Sequence, residues 1–227
     1  MSYRDELNAA MHRADAAEAE LARVRATLAD ERAARTVARV QTEGDRIFLG
    51  AKGHLIAIAR EGGDELWRTR LGDAWTVLVA AEWPDLYVGL RGEVFRIDPA
   101  SGDVLWKNRM KGLGYSALTL APVPRALGPG NRVFAGLSGV VVALERETGD
   151  EVWRAPLSKG AYFTHVVLLG SELFVGMPDQ VVCLDAETGR VVWKKEPKDI
   201  GGRYTVTIGP ASVGQVATPA ADIDNLI

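Results

Sequence analysis

Hydrophobic and polar positions follow two different periods along this chain. In residues 3 to 35, apolar side chains recur every three to four positions, whereas after Thr36 they alternate with polar ones in short runs. The first spacing is typical of a helix with one apolar face, and the second is typical of β-strands. The pattern therefore predicts one long N-terminal helix followed by an all-β region.

The predicted helix carries a heptad pattern. Its seam consists of leucine, alanine and valine at the a and d positions: Leu7, Ala10, Ala14, Ala17, Leu21, Val24 and Leu28. Such a seam predicts a short coiled coil, and hence a homo-oligomer held through residues 1–35. The alternative is an alanine-rich helix that packs on its own domain, because a short seam with so much alanine pairs weakly.

The all-β region repeats itself four times. Four aligned segments end in tryptophan: Ile56–Trp67, Phe95–Trp106, Val142–Trp153 and Val182–Trp193. Each follows a short apolar run that ends in glycine: Arg46–Gly50, Asp85–Gly89, Asn131–Gly136 and Glu172–Gly176. Ahead of these stand four further strand candidates: Val37–Gln41, Val77–Ala81, Ser116–Leu120 and His165–Leu169. The repeat is thus a four-stranded meander of about 40 residues, which predicts a propeller blade.

A glycine precedes each tryptophan by four residues. Glycine between two β runs supplies the positive φ that a tight hairpin requires. We expect each indole to fill the gap between neighbouring blades, which makes eight residues the predicted structural docking set: Trp67, Trp106, Trp153, Trp193, Gly63, Gly102, Gly149 and Gly189. The carboxylates of Asp98 and Asp185 share one position of the repeat, and we expect them to cap backbone amides of their turns.

The segment Leu184–Trp193, LDAETGRVVW, closely resembles the tryptophan-docking motif of pyrroloquinoline-quinone-like (PQQ-like) β-propeller repeats. The second and third segments are good copies, the first is a degenerate one, and the resemblance covers about residues 37 to 197. It implies a propeller of four four-stranded blades, either as a closed four-bladed ring or as half of an eight-bladed dimeric ring. A further strand candidate, Arg203–Gly209, is expected to complete the first blade or to cross to a second subunit.

The same repeat builds quinoprotein dehydrogenases, an outer-membrane assembly lipoprotein and many cytoplasmic sensors and scaffolds. This chain departs from the enzymes because it has about half of their blades, no vicinal cysteine pair and no recognisable quinone-binding cluster. It also shows neither a signal peptide nor a lipobox cysteine. The resemblance therefore implies a protein that is not an enzyme and has no cofactor, a scaffold or assembly subunit that binds a protein partner. The alternative is a small-molecule sensor or a degenerate quinoprotein-type ligand-binding protein.

Composition narrows the remaining functions. A net charge of −3 without a basic stripe argues against a nucleic-acid partner. The three histidines are too scattered for a metal site, and Cys183, in an apolar run, is expected to be buried and unreactive. No apolar run approaches the length of a membrane span, so the cytoplasm is the expected location.

Two places carry candidate partner-binding residues. Trp75 and Trp83 lie outside the docking positions; we expect Trp83 in an exposed turn and Trp75 half-buried. The C-terminal tail ends in an amphipathic segment whose apolar members include Ile223 and Leu226, and a frayed terminus is the alternative to a docking peptide. The predicted domains are the helix (1–35), the propeller repeats (36–209) and the tail (210–227).

Overall fold

The computed structural model describes residues 18–28, 44–114, 118–124, 131–159, 161, 163–198 and 207–208. The chain divides into two compact units, Met1–Arg46 and Ile47–Ile227. The predicted strand Val37–Gln41, the tail with Ile223 and Leu226, and most of Arg203–Gly209 lie outside the described residues.

The described part of the first unit includes a helix, α1, over residues 18–28. Three apolar side chains of the predicted seam, Leu21, Val24 and Leu28, are each about half exposed on it. Because they are spaced by three and four residues, they share one face of the helix. The rest of the predicted helix, residues 3–17 and 29–35, lies outside the described residues.

The second unit is built of consecutive antiparallel sheets, here called blades 1 to 4, with strands in chain order. The strands are, in blade 1, β1 (Arg46–Ala51), β2 (His54–Ala59) and β3 (Glu65–Arg70); in blade 2, β4 (Leu78–Glu82), β5 (Asp85–Leu90), β6 (Glu93–Ile97) and β7 (Val104–Asn108); in blade 3, β8 (Leu118–Pro122), β9 (Arg132–Leu137), β10 (Val140–Glu145) and β11 (Glu151–Pro156); and in blade 4, β12 (His165–Leu169), β13 (Glu172–Met177), β14 (Gln180–Asp185) and β15 (Val191–Lys195). Three blades thus have the four predicted strands, and blade 1 has three among the described residues.

The last hairpin of every blade contains a β-bulge. In blade 3, Ala143 pairs with Trp153 and Leu144 with Glu151, so that Val152 has no partner residue. In the other three blades the strand register shifts in the same way, directly after the residue that pairs with Trp67, Trp106 or Trp193. A bulge of this kind bends the strand and sets the direction in which the neighbouring side chain points.

The core lies between blades and not within any one of them. Three hydrophobic clusters join blade 1 to blade 2, blade 2 to blade 3, and blade 3 to blade 4. The sheets of blades 2 and 3 are covered on both sides, which is why a strand such as β5 is buried along its whole length. The mostly-β, propeller-like fold predicted from the repeats is confirmed.

Candidate interaction surface

The turn that joins the last two strands has the same form in every blade and contributes to the contacts between blades. We call these the glycine turns: residues 59–64, 98–103, 145–150 and 185–190. In each, the first residue exchanges backbone hydrogen bonds with the glycine and with the last residue, as between Glu145 and Gly149 (2.9 Å) and between Glu145 and Asp150 (2.8 Å). The fifth residue is a glycine with φ between +71° and +81°.

Carboxylates stabilise three of these turns. Asp98 Oδ1 accepts hydrogen bonds from the amides of Ala100 and Ser101, and Asp185 Oδ1 accepts one from Thr188. Glu145 takes the same role in blade 3 through its Oε2. The predicted capping role of Asp98 and Asp185 is confirmed.

Three of the four docking tryptophans lie on the glycine turn of the next blade. Trp106 Nε1 donates to the carbonyl oxygen of Arg146 at 2.7 Å, and a Cβ built on Gly149 meets the indole at 2.5 Å. Trp67 lies in the same way on Pro99 and Gly102, and Trp153 lies on Ala186 and Gly189. Glycine is therefore required at this turn position for close approach as well as for backbone conformation.

An aromatic residue of the same blade packs beside each indole. Ring centroids are 5.6 to 6.0 Å apart in the four pairs: Phe48–Trp67, Tyr87–Trp106, Phe134–Trp153 and Phe174–Trp193. We call the side of a blade that carries this pair its forward face, and the opposite side its backward face. The forward face of one blade meets the backward face of the next.

A buried ionic cluster ties blade 2 to blade 3. Asp85 accepts hydrogen bonds from Arg96 (2.9 and 3.2 Å) and from Arg146, whose side chain is 1% exposed. Arg96 also donates to Glu147 at 2.5 Å, and Arg146 donates to the carbonyl oxygen of Val123. A smaller version ties blade 3 to blade 4, where Arg132 reaches the carboxylate of Glu187 at 2.5 Å.

The sequence contains a signal for this cluster in the register of the repeats. Arg96 occupies the position opposite the docking tryptophan, where the other blades have Ala57, Ala143 and Cys183. An arginine at an inward position that is otherwise small indicates a buried ion pair, because an isolated charge cannot remain there.

The two tryptophans outside the docking positions have the opposite exposures from those predicted. Trp75, in the loop between β3 and β4, is 93% exposed, whereas Trp83, in the turn between β4 and β5, is partly buried. The prediction was wrong because a loop that follows a completed strand need not return to the sheet, while a two-residue turn holds its side chains close to the strands. Trp75 is therefore the most exposed tryptophan in the described part of the chain.

Charged groups contact Asp73, which lies on the same loop as Trp75. Arg70 pairs with Asp73 at 2.7 Å, and Arg91 donates to the backbone carbonyl oxygen of Asp73 at 2.8 Å. A shallow groove of about 190 Å³ adjoins them, lined by Gly72, Asp73, Leu90, Arg91 and Glu93.

The remaining reactive side chains are held in unreactive surroundings. Burial and the nearby Glu172 carboxylate raise the pKa of the Cys183 thiol to about 11, and the thiol lies 3.6 Å from that carboxylate. Burial lowers the pKa of His165, whose Nδ1 accepts the backbone N–H of Ile208 at 2.9 Å. Among the described residues, no group of three or more His, Cys, Asp or Glu side chains is placed to hold a metal ion.

Among the described residues, no helix has the length and apolar character needed to cross a membrane.

Comparison with known proteins places the chain in a family. The family model described as "Outer membrane protein assembly factor BamB" matches residues 51–135, 90–165 and 137–207. No curated protein matches the sequence.

Solved structures share the fold. BamB from Moraxella catarrhalis is 21% identical with a TM-score of 0.52, over 69% of this chain and 51% of that one. Sqt1 from Saccharomyces cerevisiae is 16% identical with a TM-score of 0.56, over 71% and 50%. A chain of the Mitotic Checkpoint Complex is 16% identical with a TM-score of 0.58, over 67% and 48%. The chain thus spans about half the length of the structures that it matches, and since the family model covers well over half of the sequence, it belongs to the BamB family of PQQ-like β-propeller repeats.

Proposed function

We propose that this chain is a non-catalytic β-propeller scaffold that binds a protein partner through the loop that carries Trp75. The observation that carries the proposal is the 93% exposure of that indole. Leaving a tryptophan in water forgoes the stabilisation that its burial gives, and such residues are enriched among the side chains that dominate protein interfaces.

The surroundings of Trp75 fit a protein partner. A large aromatic side chain beside charged groups of both signs, Arg70, Asp73 and Arg91, has the composition of an interface centre with a polar rim. The adjoining groove is smaller than the roughly 300 to 1,000 Å³ of pockets that enclose small ligands, so this part of the surface fits a protein side chain better than a whole small molecule.

Two further observations support a scaffold. The thiol of Cys183 is buried with a raised pKa, and the imidazole of His165 is occupied by a backbone amide, so neither has the surroundings of a nucleophile or base. The family is described by the name of an assembly factor, and one structural match comes from a multiprotein complex.

The helix is proposed to set the number of scaffolds in one assembly. Leu21, Val24 and Leu28 form a half-exposed apolar stripe on α1, as a seam for a second helix requires. Display of two or more propellers on one stem raises avidity without new contacts at each site.

The binding role can be tested with the full chain and two variants. Partners are first identified by crosslinking the full chain and sequencing the captured proteins, and the affinity of a purified candidate is then measured by calorimetry. We expect Trp75→Ala to weaken binding at least about tenfold, as for an interface anchor, while the melting temperature stays unchanged. Leu105→Ala, at a half-exposed residue of β7, is the matched control and should bind like the parent. Equal affinities for parent and Trp75→Ala would remove this loop from the interface.

A further inference from the structure

Among the described residues, blades 1 and 4 each have one face against which no other blade packs. Trp193 is 37% exposed, against 8% for Trp106, although both rest on an aromatic residue of their own blade. At the other end, nothing lies within 4 Å of a Cβ built on Gly63, whereas the three equivalent glycines each meet an indole within 2.6 Å. Blade 4 therefore has a tryptophan without a glycine turn, and blade 1 has a glycine turn without a tryptophan, among the described residues.

Apolar exposure follows the same division. On the backward face of blade 1, Ile47 and Leu49 are 55% and 47% exposed. The equivalent residues of the inner strands are fully buried: Leu86, Val88, Val133, Ala135, Leu173 and Val175. Val191 and Val192 of β15 do not follow this division. Their exposure is similar to that of the equivalent residues in the last strands of blades 2 and 3: Val104, Leu105 and Val152.

The charges on the two free faces are complementary. Glu172 begins β13 as Asp85 begins β5, and Arg60 follows the first residue of its glycine turn as Arg146 does. Between blades 2 and 3, Arg146 donates to Asp85. The carboxylate of Glu172 and the guanidinium of Arg60 belong to exposed residues and occupy the positions at which the inner interface has a salt bridge.

We propose that these two faces bind each other in a second copy of the chain. Trp193 of one copy occupies the glycine turn of blade 1 in the other, Glu172 pairs with Arg60, and the reciprocal contact closes a ring of eight blades. One interface used twice around a twofold axis closes without leaving a free face. In the single chain Trp193 does not lie on Gly63, and the solved structures that share the fold are about twice as long as the matched region. The proposal is independent of the role of Trp75.

Charge reversal with mixing tests the pairing. Glu172→Arg alone and Arg60→Glu alone each oppose like charges at both contacts of a homodimer. When the two variants are mixed, one contact has the introduced arginine of the first variant against the introduced glutamate of the second, and the other contact has the original pair. Only contact between two copies can be repaired in this way.

The readout is native mass spectrometry of an equimolar mixture of full-length variants, one of which carries a mass tag. We expect mixed dimers to exceed same-variant dimers about fivefold or more, where random pairing gives about half mixed. Reversals at Lys107 and Glu151, which lie in the inner blades, are the control and should pair at random. Random pairing of the Glu172 and Arg60 variants overturns the proposal and leaves the helix as the dimer contact. A parent that stays monomeric at all concentrations also overturns it.

A substitution that leaves the charges unchanged tests the same proposal if a charge reversal impairs folding. Gly63→Ala places a methyl group where the incoming indole must lie, and we expect self-association to weaken at least about tenfold. Gly112→Ala has the same left-handed backbone strain and open space around it, so it should associate like the parent. Unchanged association of Gly63→Ala excludes the proposed docking site.

Discussion

At the residue scale, equivalent positions of the repeat show which atoms contribute to stability and which do not. Three blades place phenylalanine beside the docking tryptophan, and blade 2 places Tyr87 there. The ring packs in the same way, but its hydroxyl is buried and has no hydrogen-bond partner among the described residues. Burial raises the pKa of this hydroxyl, as expected for a polar group removed from water.

Removal of that hydroxyl should therefore stabilise the protein. We expect Tyr87→Phe to raise the free energy of unfolding by about 1 kcal/mol, because a buried donor without a partner costs about that much. Urea denaturation followed by tryptophan fluorescence measures the change. Phe134→Tyr is the converse control and should destabilise the protein. A loss of stability in Tyr87→Phe would show that the hydroxyl has a partner.

Exposure of single residues is the least predictable property at this scale. The sequence places Trp75 and Trp83 outside the docking positions, but the neighbouring residues do not tell which of the two returns to the sheet. The path of the β3–β4 loop decides it, and that path depends on contacts made by distant residues such as Arg91.

At the scale of elements, neighbouring blades are joined by an apolar cluster, a docked indole and, between blades 2 and 3, buried charges. Strands and glycine turns could be predicted because their spacing is local and repeats four times. The Asp85–Arg96–Arg146 cluster could not be predicted with the same ease, since three charged residues far apart in sequence resemble surface positions until their register is known.

The ionic cluster gives the clearest stability prediction between elements. We expect Asp85→Ala to lower the free energy of unfolding by about 3 kcal/mol or more, because it removes the buried carboxylate that Arg96 and Arg146 share. Glu151→Ala, which breaks the partly exposed pair with Arg154, should cost less than about 1 kcal/mol. Chemical denaturation of both variants measures the difference, and similar losses for the two would mean that water reaches the cluster.

At the scale of the whole molecule, the second unit is a series of blades in which the described hydrophobic clusters join only neighbours in sequence. Stability in such a series is the sum of each unit and its contacts with neighbours, so end units open more easily than inner ones. The family and the blade number could be predicted from the repeated segments, whereas the free end faces could not, because Trp193 has the same local sequence as the docked tryptophans.

Hydrogen exchange should report this gradient directly. In the Glu172→Arg variant, where the proposed self-association is weakened, we expect amides of β14 and β15 to exchange about tenfold or more faster than those of the equivalent β6 and β7. Exchange followed by mass spectrometry of peptides resolves these strands. Equal protection of β7 and β15 would indicate that a segment of the same chain covers blade 4.

The direction of the contact between blades has a consequence for how such a gene changes length. Each unit presents a tryptophan on one side and a glycine turn on the other, so a tandem copy of the DNA that encodes one unit adds a segment whose two sides already fit its neighbours. Nothing in the flanking units has to be altered for the product to fold. Growth by whole units therefore adds a complete interblade contact with each unit, whereas extra residues within a unit only lengthen one of its loops.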